Sequence, residues 1–269
     1  MTTTIDAVIY SYKNKFLKEV VDNLISSTSN DIYIHVYDQH PLDRKEMFDS
    51  PQISYNHIFW DYLNSPCEYK SKTIHESSSE YFLVLSDDIM VKDGWDNILI
   101  DFIKDNKTVV SGVGKQYFKN RDLFTIISES EKSDDFSKTN IISKNLIFSK
   151  TRTLKPVSYP IYVKYLGEDE LLSFRCFEKG YTVYNAPSSL GSDLNQRTLE
   201  NKYKTFSIEH KYGKVLDIIS SSFWRYIGLD KCPILPLPYA NDDVSYNPNS
   251  LKINDIDSRK FISNVKSIY

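Results

Sequence analysis

The segment from Tyr81 to Leu85 is the most apolar strand that the sequence predicts, and two adjacent carboxylates, Asp87 and Asp88, follow it. Further apolar strands are predicted over residues 6–10, 32–37, 108–113, 141–148 and 181–184. Helical periodicity lies between them, over 14–25, about 69–79, the segment after Gly94 and the segment from Gly167 to Gly180. Strands separated by helices favour a mostly parallel sheet covered on both faces, so the predicted class is α/β.

Composition excludes several other classes of protein. The 269 residues carry 33 Lys+Arg against 36 Asp+Glu, and the net charge of -3 provides no general basic field for nucleic acid or anionic lipid. No apolar run approaches the roughly 20 residues of a membrane span, and residues 1–6 lack the pattern of a signal peptide. Cys67, Cys176 and Cys232 are scattered, without metal-ligand spacing. We therefore expect a cytoplasmic protein without disulfides, a zinc module or a membrane anchor.

Several acidic residues come directly after predicted strands or at a helix start. Ligands of parallel sheets bind beyond the carboxyl ends of the strands, so these acids are candidates for a binding site. They are Asp38, the pair Asp87-Asp88, and Glu168-Asp169 at a helix start. Adjacent carboxylates near a core are costly unless a cation or hydrogen bonds offset their charge, and Mg²⁺ or Mn²⁺ takes such oxygen ligands. The simpler alternative is a polar turn in which Asp93 is the N-cap of the next helix.

The run from Tyr81 to Asp96, with its Ser86-Asp87-Asp88 motif and Gly94-Trp95 turn, resembles the metal-binding segment of GT-A fold nucleotide-sugar glycosyltransferases. This resemblance implies that Asp88 ligates the metal and that Asp87 faces the ribose or the donor sugar. It also implies an α/β GT-A type fold: a mostly parallel, Rossmann-like sheet flanked by helices. Helical signal over about residues 195–226 predicts a helical C-terminal extension in addition.

Three further blocks extend the resemblance over residues 5–190. Val8 to Tyr12 resembles the first strand with its donor-binding turn, which implies donor contacts for Tyr10, Ser11 and Tyr12. Val36 to Gln39 resembles the second strand, whose acid, here Asp38, addresses the base. The segment from Gly167 to Tyr181 resembles the family's Glu-Asp helix and its Lys-Gly-Tyr turn. We expect a nucleotide-sugar-binding half over 1–115, an acceptor-binding and catalytic half over 116–193, and a helical extension with an extended tail over 194–269.

The sequence departs from the family pattern at two places. Ser86 replaces the leading acid of the commoner Asp-X-Asp form. The C-terminal histidine that binds metal in many members is missing, so either Asp193 substitutes for it or the site lacks that ligand. His210 lies later in the chain and is expected to be a helix-surface residue.

The resemblance implies a mechanism with Asp169 as the general base and Glu168 orienting the acceptor. The alternative is that these acids only complement a helix N-terminus. Lys70 and Lys72 are candidates to neutralise phosphate, or they form a solvated helix face. UDP is the expected nucleotide, because Asp38 suits the uracil N3-H and the ring of Tyr10 or Tyr12 suits base stacking.

The acceptor remains open between a glycan or protein hydroxyl and hydroxymethylated cytosine in phage DNA. The second option follows from a composition typical of A+T-rich genomes, with 20 Tyr and 14 Phe beside 8 Gly. It also depends on the basic, aromatic stretch 197–214, which suits duplex DNA. Two other functions are a non-catalytic binding domain of the same fold and a nucleotidyltransferase. The latter is disfavoured because residues 10–15 contain no glycine.

Overall fold

The computed structural model describes residues 3–12, 14–58, 66–112, 134–139, 142–143, 145–159 and 168–194. In chain order the strands are β1 (Thr4–Tyr12), β2 (Asp31–Gln39), β3 (Ile53–His57), β4 (Tyr81–Ser86), β5 (Ile89–Val91), β6 (Thr108–Ser111), β7 (Ser137–Thr139), β8 (Leu146–Lys150), β9 (Thr182–Asn185) and β10 (Gly191–Asp193). The helices are α1 (Leu17–Ser27), α2 (Pro66–Glu76), α3 (Trp95–Phe102), α4 (Thr151–Leu154) and α5 (Glu168–Glu178).

Within these residues the main sheet has the strand order β3-β2-β1-β4-β8-β6-β9-β7. β3, β2, β1 and β4 are mutually parallel, β8 runs antiparallel to β4 and β6, and β9 is parallel to β6. β5 and β10 form a separate antiparallel pair. The predicted α/β class is confirmed. The predicted extension over 194–269 lies outside the described residues, apart from Leu194.

Alternating side chains of the central strands supply two apolar clusters. Ile5, Ala7 and Ile9 of β1 pack with residues of α1 and α3. Val8 of β1 packs in the other cluster with residues of α2, α4 and α5. Because β1 and β4 are buried on both faces, charged side chains are rare in them, and the one charged residue in either strand is Asp6, near the amino end of β1.

Four short strands were missed by the sequence analysis: β3, β5, β7 and β10. β5 and β10 have three residues each, which is too short for a periodic signal. The predicted strand over 141–148 begins only at Leu146. The alternative role for Asp93 is wrong, because the N-cap of α3 is Gly94, in a left-handed conformation with φ of 71°.

The two residues after Gly94, Trp95 and Asp96, make contacts that stabilise the fold. Trp95 is buried, its Nε1 donates to Thr28 Oγ1 at 3.1 Å, and its ring meets Phe148 edge-on. Asp96 is also buried, and its Oδ2 accepts hydrogen bonds from the backbone N–H groups of Ser29 and Asn30 at 2.9 Å each. This part of the motif therefore ties the start of α3 to the turn between α1 and β2.

Among the described residues, no helix is both long and apolar enough to cross a membrane.

We predict that Asp96→Ala lowers the free energy of unfolding by about 2–3 kcal/mol, because two backbone N–H groups lose a charged acceptor. Urea denaturation measures the change. The control is Asp93→Ala, at an exposed carboxylate three residues earlier, for which we expect a change within about 0.5 kcal/mol. Equal stability of the two variants would contradict the structural role of Asp96.

Candidate functional site

The carboxyl ends of β2, β1 and β4 meet at one edge of the sheet. Ser11 pairs with Asp38 of β2, and Tyr10 pairs with Ser86 of β4. The three parallel strands therefore bring together the predicted donor-binding turn, the predicted base-binding acid and the acidic pair Asp87-Asp88. The crevice beyond such strand ends is where ligands of open α/β sheets bind.

The acidic turn, residues 86–88, is held by hydrogen bonds from several elements. Ser86 N donates to Asn145 O at 3.0 Å, and Ser86 Oγ donates to Asp88 Oδ1 at 2.7 Å. The Asn14 side chain donates to Asp87 O at 2.9 Å, and Leu194 N donates to Asp88 O at 2.8 Å. Asp87 is buried and Asp88 is partly exposed, so Asp88 is the more accessible carboxylate.

Asp193 lies on the strand that pairs with the segment after this turn. It is exposed, and its register partner in β5 is Ile89, the residue after Asp88. The backbone thus brings the candidate substitute for the missing histidine next to the acidic turn. Among the described residues, no group of three or more His, Cys, Asp or Glu side chains is arranged to hold a metal. Asp88 with Ser86 offers hard oxygen donors, which fit Mg²⁺ or Mn²⁺ by chemistry.

Asp38 is already engaged by protein partners. Its side chain is 0 % exposed, and Arg44 donates to both carboxylate oxygens, from Nη2 at 2.7 Å and from Nε at 2.8 Å. Tyr55 Oη adds a hydrogen bond to Oδ2 at 2.9 Å. The hydrogen bond to Asp38 raises the pKa of Arg44, and burial is the main cause that raises the pKa of Tyr55 to about 12. A base contact from Asp38 requires a rearrangement of this cluster.

The two tyrosines of the predicted donor-binding turn differ in exposure. Tyr10 Oη donates to Gln39 Oε1 at 2.8 Å, and its ring stacks against Tyr69 with 6.1 Å between centroids. Tyr12 is 43 % exposed, which leaves its ring the more accessible of the two. Ser11, between them, is buried, and its hydroxyl has no hydrogen-bond partner in the described part of the chain.

Lys70 and Lys72 lie on α2 in different environments. Lys72 is 63 % exposed at its side chain and lies 4.0 Å from Glu76, as expected for a solvated helix face. Lys70 is buried, and its Nζ lies 4.9 Å from the centre of the Tyr159 ring. Of the two lysine side chains, that of Lys70 is therefore the one shielded from solvent.

Glu168 and Asp169 are the first two residues of α5. The helix is anchored by the buried residues Leu172 and Cys176, and by Ser173, whose Oγ accepts from Ile142 N at 2.8 Å. Burial raises the pKa of the Cys176 thiol to about 12. Both acids therefore begin a helix packed on the sheet. His210 and the stretch 197–214 lie outside the described residues.

Two residues of this edge were missed by the sequence analysis, Asn14 and Arg44. Arg44 Nη1 donates to Asn14 O at 2.9 Å, and the Asn14 side chain reaches Asp87. The only signal in the sequence is that Arg44 is the first arginine of the chain and follows Asp38 by six residues. Neither residue belongs to a motif that reveals its partner.

The sequence matches no known protein-family model. No curated protein matches it either. Solved structures that share the fold include those of GalNAc-T7 and S. aureus TarS. A crystal structure of GalNAc-T7 with UDP, GalNAc and Mn²⁺ superposes with a TM-score of 0.53 at 13% identity, over 70% of this chain and 43% of that one. S. aureus TarS, residues 1–349, superposes with a TM-score of 0.51 at 13% identity, over 82% of this chain and 70% of that one.

The fold is GT-A. The GT-A resemblance and the α/β class drawn from the sequence are confirmed. This chain spans less than half the length of the GalNAc-T7 chain. At such low sequence identity the likeness concerns the fold alone. The activity depends on the residues at the sheet edge where β2, β1 and β4 end, which we call the GT-A edge.

We predict that Arg44→Met lowers the free energy of unfolding by about 3–5 kcal/mol, because Asp38 is left as a buried charge without its cation. The double variant Asp38→Leu/Arg44→Met should recover a large part of this loss. Chemical denaturation of the set gives the coupling energy. For comparison, Lys18→Met removes the exposed pair with Asp22 and should cost less than about 1 kcal/mol. An equal loss in Arg44→Met and Lys18→Met would contradict the assigned role of the pair.

Proposed function

We propose that this chain is a glycosyltransferase that moves a sugar from a nucleotide-sugar donor to an acceptor hydroxyl, assisted by Mn²⁺ or Mg²⁺. The observation that carries the proposal is the acidic turn at the end of β4, where Asp88 is partly exposed and oriented by Ser86 on a GT-A fold. UDP is the proposed nucleotide. The presence of UDP and Mn²⁺ in the GalNAc-T7 crystal structure supports this choice.

Asp88 is the proposed metal ligand, and Asp193 on the neighbouring strand is the proposed second carboxylate. When bound, the cation offsets the charge of the diphosphate and makes it a better leaving group. Asp87 is proposed to face the ribose or the donor sugar. It is buried beside Asp88, so its carboxylate is held close to the same turn.

The nucleotide end of the site is proposed to involve the donor-binding turn and Lys70. The exposed ring of Tyr12 suits stacking on uracil, with Tyr10 and Ser11 beside it. Lys70, with Lys72 as the solvent-exposed second candidate, is proposed to offset phosphate charge. Asp38 remains a candidate for the uracil N3-H only if Arg44 and Tyr55 release one of its oxygens.

Asp169 is the proposed general base, and Glu168 is proposed to orient the acceptor. In the reaction, the acceptor oxygen forms a bond to the anomeric carbon while the bond from that carbon to the diphosphate oxygen breaks. The acceptor proton passes to Asp169, and the nucleoside diphosphate leaves with the bonding electrons. A dedicated base of this kind implies inversion at the anomeric carbon.

The identity of the acceptor remains a prediction. It is a glycan or protein hydroxyl, or hydroxymethylated cytosine in DNA. The DNA alternative depends on residues 197–214, which lie outside the described part of the chain. The proposed division into a donor half over 1–115 and an acceptor half over 116–193 places Asp88 in the first half and Asp169 in the second.

We predict that Asp88→Ala abolishes the increase in UDP affinity that Mn²⁺ produces, because this carboxylate would hold the ion that offsets the charge of the diphosphate. Asp87→Ala should have a milder effect, and Asp193→Ala should weaken Mn²⁺ binding. Calorimetric titration with UDP, with and without Mn²⁺, measures all three variants.

The control for these variants is Asp101→Asn, which changes a carboxylate on α3 that is 85% exposed and lies 3.8 Å from Lys104. It should behave as wild type. Metal-independent UDP binding that Asp88→Ala leaves unchanged would refute the assignment. Hydrolysis of radiolabelled UDP-sugars distinguishes an enzyme from a binding domain, since a binding domain releases no free sugar.

We predict that Asp169→Asn lowers the rate of transfer by about 100- to 10,000-fold with UDP affinity nearly unchanged, because the amide cannot accept the acceptor proton. If Asp169 only complements the start of α5, the same variant loses about 1 kcal/mol of stability and keeps normal turnover. Steady-state kinetics and a thermal melt on one preparation decide between the two. Normal turnover would favour a retaining mechanism.

A further inference from the structure

Asn14 lies between β1 and α1, and its buried side chain joins two elements of the GT-A edge. Its Oδ1 accepts a hydrogen bond from Phe16 N at 2.9 Å, just before α1 begins. Its Nδ2 donates to Asp87 O, also at 2.9 Å. One short side chain is therefore connected both to the approach to a helix and to the backbone of the acidic turn.

The peptide planes on either side of Asp88 are both held. The carbonyl oxygen of Asp87 shares a planar peptide unit with the nitrogen of Asp88, so the bond from Asn14 restricts the orientation of that plane. The carbonyl oxygen of Asp88 accepts from Leu194 N at 2.8 Å, which restricts the following plane. Because the direction of the Cα–Cβ bond of Asp88 depends on these two planes, Asn14 and Leu194 together restrict it, and the hydrogen bond from Ser86 then orients the carboxylate.

Asn14 is itself held by the buried ion pair. Arg44 Nη1 donates to Asn14 O at 2.9 Å, while its Nε and Nη2 are bound to Asp38. The hydrogen bonds thus run from the end of β2, through the loop after β1, to the end of β4. The strand after the turn has a separate anchor, since Asn23 bonds to both the N–H and the C=O of Val91.

We propose that Asn14 is a positioning residue, which orients Asp88 for cation and donor binding through the backbone of Asp87 and is held in place by the Asp38–Arg44 pair. Asn14 touches neither donor nor cation in this proposal. The effect on metal and donor binding rests on the proposed function, whereas the effect on the acidic turn does not.

The test compares Asn14→Ser with Asn14→Ala. A serine hydroxyl can accept from the N–H two residues later, as Asn14 does from Phe16, but it is too short to reach Asp87 O. Alanine loses both bonds. If Asn14 matters only for the start of α1, serine should restore wild-type behaviour. If it positions the acidic turn, serine and alanine should be equally impaired.

The first measurement is hydrogen exchange of the backbone amides over residues 86–91. We expect exchange to be about tenfold faster in both variants, as for the loss of one buried hydrogen bond. The control is Asn30→Ala, which also loses two side-chain hydrogen bonds but lies at the opposite end of β2. Unchanged exchange over 86–91 in Asn14→Ser would overturn the inference.

The second measurement is calorimetric titration of UDP with and without Mn²⁺. In both Asn14 variants we expect the factor by which Mn²⁺ raises the affinity for UDP to be about tenfold smaller than in wild type. Binding of UDP without metal should be unchanged. A full gain in Asn14→Ser would overturn the inference. If wild type itself shows no gain with Mn²⁺, the proposed function fails, and the exchange measurement alone decides the role of Asn14.

Discussion

Burial of β1 and β4 on both faces is the constraint on which the rest of this structure depends. Their side chains alternate between two apolar clusters, one with α1 and α3 and the other with α2, α4 and α5. A charge within such a strand would lose its hydration without gaining a partner. Apart from Asp6, near the amino end of β1, the carboxylates lie where these strands end, and the parallel register brings the carboxyl ends to a single edge. The proposed site lies at this edge for the same reason that the core is apolar.

The acids at this edge differ in what offsets their charge. Asp38 has a cation of its own, because Arg44 binds both of its oxygens within the protein. Asp88 is partly exposed and receives a hydrogen bond from Ser86. A buried pair such as Asp38–Arg44 contributes more to the definition of one geometry than to net stability. It can hold neighbouring groups in place, while Asp88 retains access to solvent and to a ligand.

The motif that suggested the fold combines residues of two kinds. Trp95 and Asp96 pack and hydrogen-bond to the turn before β2, and they support the architecture. Asp87 and Asp88, eight and seven residues before Trp95, lie at the edge where the ligand is proposed to bind. The sequence motif contains both the architectural residues and the acidic pair, because the position of an acid at the end of a strand depends on the anchoring of the helix that follows.

The presence of β1, β2 and β4 followed from apolar segments of the sequence, and the acidic turn followed from two carboxylates after the most apolar of them. Both are local properties of the chain. The sequence did not reveal the three-residue strands β5 and β10, the pairing of Asp38 with Arg44, or the bond from Asn14 to Asp87. Asp38 and Arg44 are six positions apart, but the other contacts join residues 73 or more positions apart, and they depend on the alignment of strand ends in the sheet. Local composition determined which segments are buried, whereas tertiary structure decided which polar groups meet, because hydrogen bonds between distant residues depend on packing.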